Sequence, residues 1–314
     1  MTPETVIGVD LGGTNLRAAQ VATSGTIGAR SQEEVDHDHT GAAFGQLVDM
    51  VDTLLGSSEH RPGEYAIGVS VTGPVDPITG WVDNPYTLPP SMQGDLVGSI
   101  RSGLDHHGRS AEQMSIVVEN DANAAAIGES LFGAGRDGEV VVCVTVGTGI
   151  GVGVVVRGQL YEGAGRTHPE PGHLVIDPSG PMCYCGARGC IESMSSATAL
   201  LENARSAGVV DEHGTARQVH EHAQSGDPTA IALVHASHEA LAQGIRTLVA
   251  VYAPDVVVLA GNARSQDPAM LATIEQAARG YKFGPPTVKV RSAELGNWAG
   301  CIGAAALARR LEVR

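Results

Sequence analysis

Residues 5–21 read TVIGVDLGGTNLRAAQV, and this stretch decides the fold. An apolar, β-branched run reaches Asp10, two glycines interrupt it, and apolar alternation resumes at Leu16. That pattern reads as strand, glycine turn, strand. A second copy stands far downstream at residues 140–160, VVVCVTVGTGIGVGVVVRGQL. Two such units predict an internal duplication, each half carrying a mixed sheet with helices against it. Because a strand follows each turn, neither unit is a dinucleotide fingerprint, which requires a helix there. GxxxxGK[ST] is absent, so neither is a Walker loop.

Outward from these units, YAIGVSVTGPVD (65–76) and MSIVVENDANAAA (114–126) each begin as short β-branched runs. The second then turns to an alanine-rich helical pattern. Residues 226–252 read as a long helix opening at Asp227-Pro228, since Asp caps and Pro suits the first helical position. PDVVVLAGN (254–262) reads as a buried strand ending in a turn. The tail WAGCIGAAALARRLEV (298–313) reads as a small-residue helix that packs back onto the first half. The expected division is a smaller α/β domain, 1–119, joined by the C-terminal helix 299–314, and a larger one, 120–298, containing a cysteine-rich loop.

The 314 residues carry a formal net charge of −15, which argues against a general affinity for nucleic acid or an anionic membrane. No apolar run is long enough for a transmembrane helix, and no basic-then-apolar leader precedes residue 5. The expected location is the cytoplasm. Aromatic residues are only 4%, so Val, Ile, Leu and Ala must fill the core.

Three chemistries stand out. Asp10, Gly12, Gly13 and Thr14, and again Gly147, Thr148 and Gly149, place small residues where backbone N–H groups can approach phosphate. Asp10 also offers a carboxylate to a water-held Mg²⁺. Plain hairpin turns are the alternative. Asp121, at a strand C-terminus, suits a base that takes a proton from an attacking hydroxyl; a helix N-cap is the alternative. Lastly, HPEPGHLVIDPSGPMCYCGARGCIES (168–193) gathers His173, Cys183, Cys185 and Cys190, a Cys₃His set suited to closed structural zinc. Free buried cysteines, a disulfide or a catalytic zinc are the alternatives. Glu170 and Glu192 flank the set and suit a polyol. His173 has one ring nitrogen for zinc and one for a sugar oxygen.

These motifs together resemble the ROK family of repressors, open reading frames and sugar kinases. The resemblance rests on DLGGTN (10–15), GPVDPITG (73–80), ENDANAAAIGE (119–129), GTGIGVG (147–153), EPGH (170–173) and CYCGARGCIE (183–192). It implies an α/β, actin-like, hexokinase-type (ribonuclease H-like) two-domain fold with a central cleft. It implies transfer of the ATP γ-phosphate, with Mg²⁺, to a hexose hydroxyl, usually the 6-OH. Asp121 would be the base. Gly73, Asn84, Thr87, Asn120, Glu170, His173 and Glu192 would meet the sugar. Asp10, Gly12, Gly13, Thr14, Asn15, Gly147, Thr148 and Gly149 would surround phosphates, and Gly261 would border adenosine. A homodimer or tetramer is the family habit, with 226–252 a candidate contact. A strand beginning at residue 5 leaves no room for the repressors' helix-turn-helix, which favours the kinase branch. The runner-up readings are a kinase for N-acetylmannosamine, N-acetylglucosamine, fructose or a cyclitol, and a non-catalytic sugar sensor.

The chain departs from the family pattern at Tyr86-Thr87-Leu88, where an Asn-Leu pair is usual. It departs again at Arg166-Thr167-His168-Pro169 and Pro171, and at the adenosine turn Ala260-Gly261-Asn262. The pairs His37/His39, His106/His107 and His220/His222 read as solvated surface, and His235 and His238 as surface or dimer contact. Cys143 and Cys301 read as small core residues. Arg17 and Lys282 have only their charge to suggest nucleotide.

Overall fold

The computed structural model describes residues 5–37, 41–56, 65–85, 87–109, 114–261, 267–281 and 287–311. Tyr86, His39, Asn262 and Lys282 lie outside them. The chain forms two compact units: 1–136 with 158–168 and 294–314, and 137–157 with 169–293. In this division residues 120–136 and 158–168 go with the first unit, whereas the sequence expectation placed both after 119 in the second.

In the first unit β1 (Thr5–Leu11) and β2 (Asn15–Ala22) form the antiparallel hairpin read from the sequence. β3 (Ile27–Glu34) follows β2 at one edge. Helix α1 (Ala42–Gly56) leads to β4 (Ala66–Val71), parallel to β1. Three two-residue strands, β5 (Val75–Asp76), β6 (Trp81–Val82) and β7 (Gly94–Asp95), make a small sheet before α2 (Leu96–His106). Then β8 (Ser115–Asn120) completes the main order β3-β2-β1-β4-β8 and runs directly into α3 (Asp121–Phe132). Leu47, Val51, Leu54 and Leu55 of α1 pack with Ile67, Val69 and Leu11 in one core.

The second unit repeats the plan. β9 (Val140–Val146) and β10 (Ile150–Val156) form an antiparallel hairpin. β11 (Gln159–Leu160) falls in the segment counted with the first unit; the second unit continues with α4 (Ile191–Ser195), α5 (Ala197–Ser206), α6 (Ala216–Gln224) and α7 (Pro228–Tyr252). The start of α7 is as expected: the Asp227 carboxylate accepts from Thr229 and Ala230 N–H, and Pro228 occupies the first turn. β12 (Val256–Gly261) then lies parallel to β9, α8 (Pro268–Arg279) follows, and β13 (Lys289–Ser292) pairs parallel with β12. Val142, Val144, Val257 and Leu259 face Leu241, Ile245 and Leu248 in its core.

The chain returns to the first unit as α9 (Ala299–Leu311). The glycines and alanines of this helix let it lie directly on the sheet. A methyl group on Gly68 of β4 would overlap the Ala304 carbonyl and come within 2.8 Å of the Ala305 nitrogen; one on Gly8 of β1 would overlap the Cys301 carbonyl. Against α3 the approach is as close, since a methyl group on Gly303 would overlap the Ala124 carbonyl. Glu129 locks the entry to α9. Its fully buried carboxylate accepts N–H bonds from Ala134 (2.8 Å), Glu294 (3.1 Å) and Leu295 (2.8 Å). Among the described residues, no helix is long and apolar enough to cross a membrane.

Overpacking this helix-on-sheet seam should be costly. Gly68→Ala is expected to lower stability by about 3 kcal/mol. The control is Gly147→Ala, where a methyl group meets nothing within 4 Å and the effect should stay near zero. Urea midpoints of the two variants check this.

Candidate active site

In the first unit the end of β1 carries Asp10. Its Oδ1 accepts the Ser70 hydroxyl (2.9 Å) and its Oδ2 lies 3.3 Å from Arg17 Nη1. Burial pushes the Asp10 carboxyl above its usual range, and Ser70 and Arg17 offset part of that. Arg17 is thereby engaged with Asp10, and with Gln32 at 3.1 Å. The turn after β1 closes through Gly12 N–H to Asn15 C=O (3.0 Å), and Thr14 is exposed. Gly12 and Gly13 have ordinary negative-φ backbone, as do Gly147 and Gly149. At Gly13 and Gly149 smallness serves space: a methyl group on Gly13 would come within 2.9 Å of Thr87 C=O, and one on Gly149 would overlap the Glu192 carboxylate. A His37 ring nitrogen lies 2.6 Å from the Gly13 carbonyl. His37 is exposed, as expected, and this contact joins it to the turn.

The junction of β8 and α3 separates two duties that sequence left joined. Asn120, not Asp121, caps the helix: its Oδ1 accepts from Ala122 (2.9 Å) and Asn123 (3.3 Å) N–H. Asn120 Nδ2 also donates to Gly73 C=O at 3.3 Å. Asp121 is the first helical residue. Its Oδ1 accepts its neighbour Ala122 N–H (2.8 Å), and its Oδ2 accepts the Thr72 hydroxyl (3.1 Å). Gly73, at φ +92°, turns the chain tightly over the Asn84 side chain. Asn84 is buried; it donates to Thr72 C=O (2.8 Å) and to the hydroxyl of exposed Thr87.

Behind this junction lies a pair that sequence reasoning missed. Glu119 is buried, and its Oε1 accepts the Asn120 N–H (2.8 Å) and Asn123 Nδ2 (3.1 Å). His168 Nε2 lies 2.8 Å from the same oxygen, with both side chains under a tenth exposed. The signal was the departure at His168, but its partner is 49 residues away in sequence. Burial lowers the imidazole pKa, yet the contact and charge of Glu119, with Glu162 beyond, outweigh it; the net shift is upward from 6.5.

In the second unit the turn between β9 and β10 carries Gly147, Thr148 and Gly149. Its backbone is tied to α5, with Ala197 N–H on Gly147 C=O (2.9 Å) and the Thr198 hydroxyl on Thr148 C=O (2.9 Å). Glu192, in α4, reaches this turn: its Oε2 accepts the Ile150 N–H at 2.8 Å. Gly261 ends β12 at φ +119°, pressed against Val146, so a side chain there would clash.

Pro171 opens a 3₁₀ turn, Pro171–His173, which carries His173, while Glu170 just before it is exposed. The ligand atoms of His173, Cys183, Cys185 and Cys190 all lie within 4.8 Å of one another. A narrow loop holds them, through Cys183 N–H to Ala187 C=O (2.8 Å) and Gly189 N–H to Pro181 C=O (2.8 Å), with Gly186 and Gly189 both at positive φ. His173 Nδ1 faces Cys183 Sγ at 3.5 Å, and Nε2 faces the Tyr184 hydroxyl at 3.1 Å. Burial and the neighbouring thiols push Cys190 up to about 12, while backbone hydrogen bonding lowers Cys185. Three thiols and an imidazole so placed fit the donor preference of zinc. Elsewhere, His238 is buried rather than exposed; it stacks on His220, because α7 turns that face towards α6.

A family model for the ROK family matches residues 6–311. The chain belongs to that family. It is 30% identical over 322 residues to a glucokinase of Thermotoga maritima, covering 96% of each. Among solved structures, the ROK hexokinase of Thermus thermophilus superposes with a TM-score of 0.84 at 32% identity, over 98% of this chain and 99% of that one. A ROK family glucokinase from Streptomyces griseus, in complex with glucose and AMPPNP, gives 0.76 at 28% identity over 98% and 99%. The fold is thus the actin-like sugar-kinase fold of the ROK hexokinases, as the sequence resemblance implied.

The His168–Glu119 pair generates a pH prediction. A raised histidine pKa contributes stability that is complete below the unfolded value and lost as pH rises through the folded one. Between about pH 6 and pH 8, wild-type stability should therefore fall more steeply than that of His168→Gln. Urea midpoints across that range decide; parallel curves would mean the imidazole charge is irrelevant.

Proposed function

We propose that this chain is an ATP-dependent sugar kinase that transfers the γ-phosphate to a hexose hydroxyl, with glucose the first acceptor to test. The observation that carries the reading is the division of labour at the β8–α3 junction. Asn120 satisfies the helix N-terminus, so Asp121 can present a carboxylate oriented by Thr72 to an acceptor alcohol. Phosphoryl transfer asks for an aligned nucleophile, a base and neutralised charge. Asp121 takes the proton of the attacking hydroxyl. Asn84, Thr87, Gly73, Asn120, Glu170, His173 and Glu192 orient the sugar. Asp10 and the turns at Gly12–Asn15 and Gly147–Gly149 hold phosphates, and Gly261 borders the adenosine. The open space beside Gly147 supports this: among the described residues, nothing lies within 4 Å of a methyl group placed there. Mg²⁺ carried with ATP supplies neutralisation of phosphate charge. The glucokinase relatives support glucose; Thr87, in place of the family's Asn, keeps an N-acetylated hexosamine as second acceptor.

His173, Cys183, Cys185 and Cys190 would hold zinc, whose part is structural. It would cross-link the loop so that Glu170, Glu192 and the Nε2 side of His173 keep their places. The reaction belongs in the cytoplasm, where ATP is made available.

Coupled measurement of ATP consumption with a panel of sugars tests the reading; no turnover with any sugar would sink it. Asp121→Asn should reduce kcat by about 10²–10⁴-fold, the usual worth of a general base, while glucose still binds by calorimetry. A variant that turns over normally would remove Asp121 from the mechanism. Stripping zinc with a chelator should abolish sugar binding before the chain unfolds, because the metal organises one loop. Full sugar affinity in a sample shown by metal analysis to be zinc-free would contradict this.

A further inference from the structure

The cysteine loop carries a side chain that none of the roles above uses. Tyr184 sits between Cys183 and Cys185, and its residue surface is 82% exposed. An aromatic ring so exposed has little packing to fix it. Two contacts do so: an edge-on approach to the His173 ring, 5.0 Å between centroids, and its hydroxyl at 3.1 Å from His173 Nε2. Burial first, and then the charges of Glu192 and Glu170, keep the phenol protonated. Both carboxylates are groups assigned above to the sugar. Nδ1 of the same imidazole faces the thiol cluster, so Nε2 is the ring nitrogen left to serve a substrate.

We infer that Tyr184 is a specificity-determining residue whose phenol hydroxyl holds the place of one acceptor hydroxyl, so that a sugar reaches His173 Nε2 only by displacing it. The inference rests on the sugar-kinase reading and deepens it. A phenol and a sugar alcohol offer the same equipment, one O–H donor and two acceptor lone pairs. A substrate hydroxyl can therefore replace the phenol at His173 Nε2 without leaving that nitrogen unpaired. A substrate lacking that hydroxyl does not displace the phenol, and the tyrosine keeps its contact with His173. The exposed ring has solvent to swing into, so displacement requires no rearrangement of a core. The tyrosine thus lowers affinity only for a sugar that makes the His173 contact, and leaves unchanged one that does not.

The test compares wild type with Tyr184→Phe, which keeps the ring and removes the competing hydroxyl. Steady-state KM and kcat are measured for glucose, each monodeoxyglucose and ATP, with calorimetric binding of each sugar without nucleotide and zinc content as a control on the loop. Losing one competing neutral hydrogen bond should lower the glucose KM about three- to tenfold, with the gain in KM rather than kcat. KM for ATP and zinc content should be unaffected. The gain should vanish for one monodeoxyglucose, the one lacking the hydroxyl that meets His173. A raised glucose KM in Tyr184→Phe would mean that the phenol assists the sugar, and would overturn the inference. So would an equal gain across all the analogues. Wild-type turnover reads the kinase assignment, and the variant-to-wild-type ratio reads the role of Tyr184. If the wild type turns over and the ratio stays at one, only the tyrosine role fails; if no sugar binds either protein, both fall.

Discussion

The first unit depends on one close approach: the backbone of α9 against the backbones of β1, β4 and α3. At Gly8 and Gly68 no side chain separates helix from sheet, and at Gly303 none separates the two helices. Dispersion contacts are dense where main chains touch, and a methyl group at such a seam has nowhere to go. The seam also fixes chemistry. A methyl group on Gly300, in the first turn of α9, would strike the Asp10 carboxylate and come within 3.0 Å of the Ser70 hydroxyl. The same helix sets α3, whose first residue is Asp121. The positions of Asp10 and Asp121 are thus consequences of one packing decision.

The second unit holds its turn by other means. Its glycine turn is short of apolar packing and is held instead by hydrogen bonds from α5 and from Glu192. Glu192 lies two residues after Cys190, so the thiol loop and the glycine turn share an anchor. A carboxylate that accepts a backbone N–H has an orientation, and that orientation passes to whatever its other oxygen meets. The duplication seen in the hairpins therefore stops at the backbone: the two copies stabilise their turns with different side chains.

Much of this was legible in the sequence because its causes are local. Strand, glycine turn, strand is a pattern of periodicity and interruption, and both hairpins appear where it stands. Asp227-Pro228 carries its helix start in two residues. The Cys₃His cluster follows from three cysteines in a span too short to separate them. What could not be read depends on partners distant in sequence or on a choice between adjacent residues. Asn120 and Asp121 both suit a helix cap, and the backbone dihedrals alone decide which residue stands outside the helix. His168 gains its meaning from Glu119, and His37 from Gly13, neither within reach of any local pattern. His238 looked like surface because a helical wheel does not say that α6 would cover that face.

The course of the chain has a consequence for biosynthesis. The helix that covers Gly8 and Gly68 follows the whole second unit in the sequence. On the ribosome, one face of the first sheet therefore waits uncovered while some 170 further residues, the span from 121 to 293, are translated, about 10–30 s at typical elongation rates. The nascent chain must keep that face from other nascent chains until its own closing segment emerges.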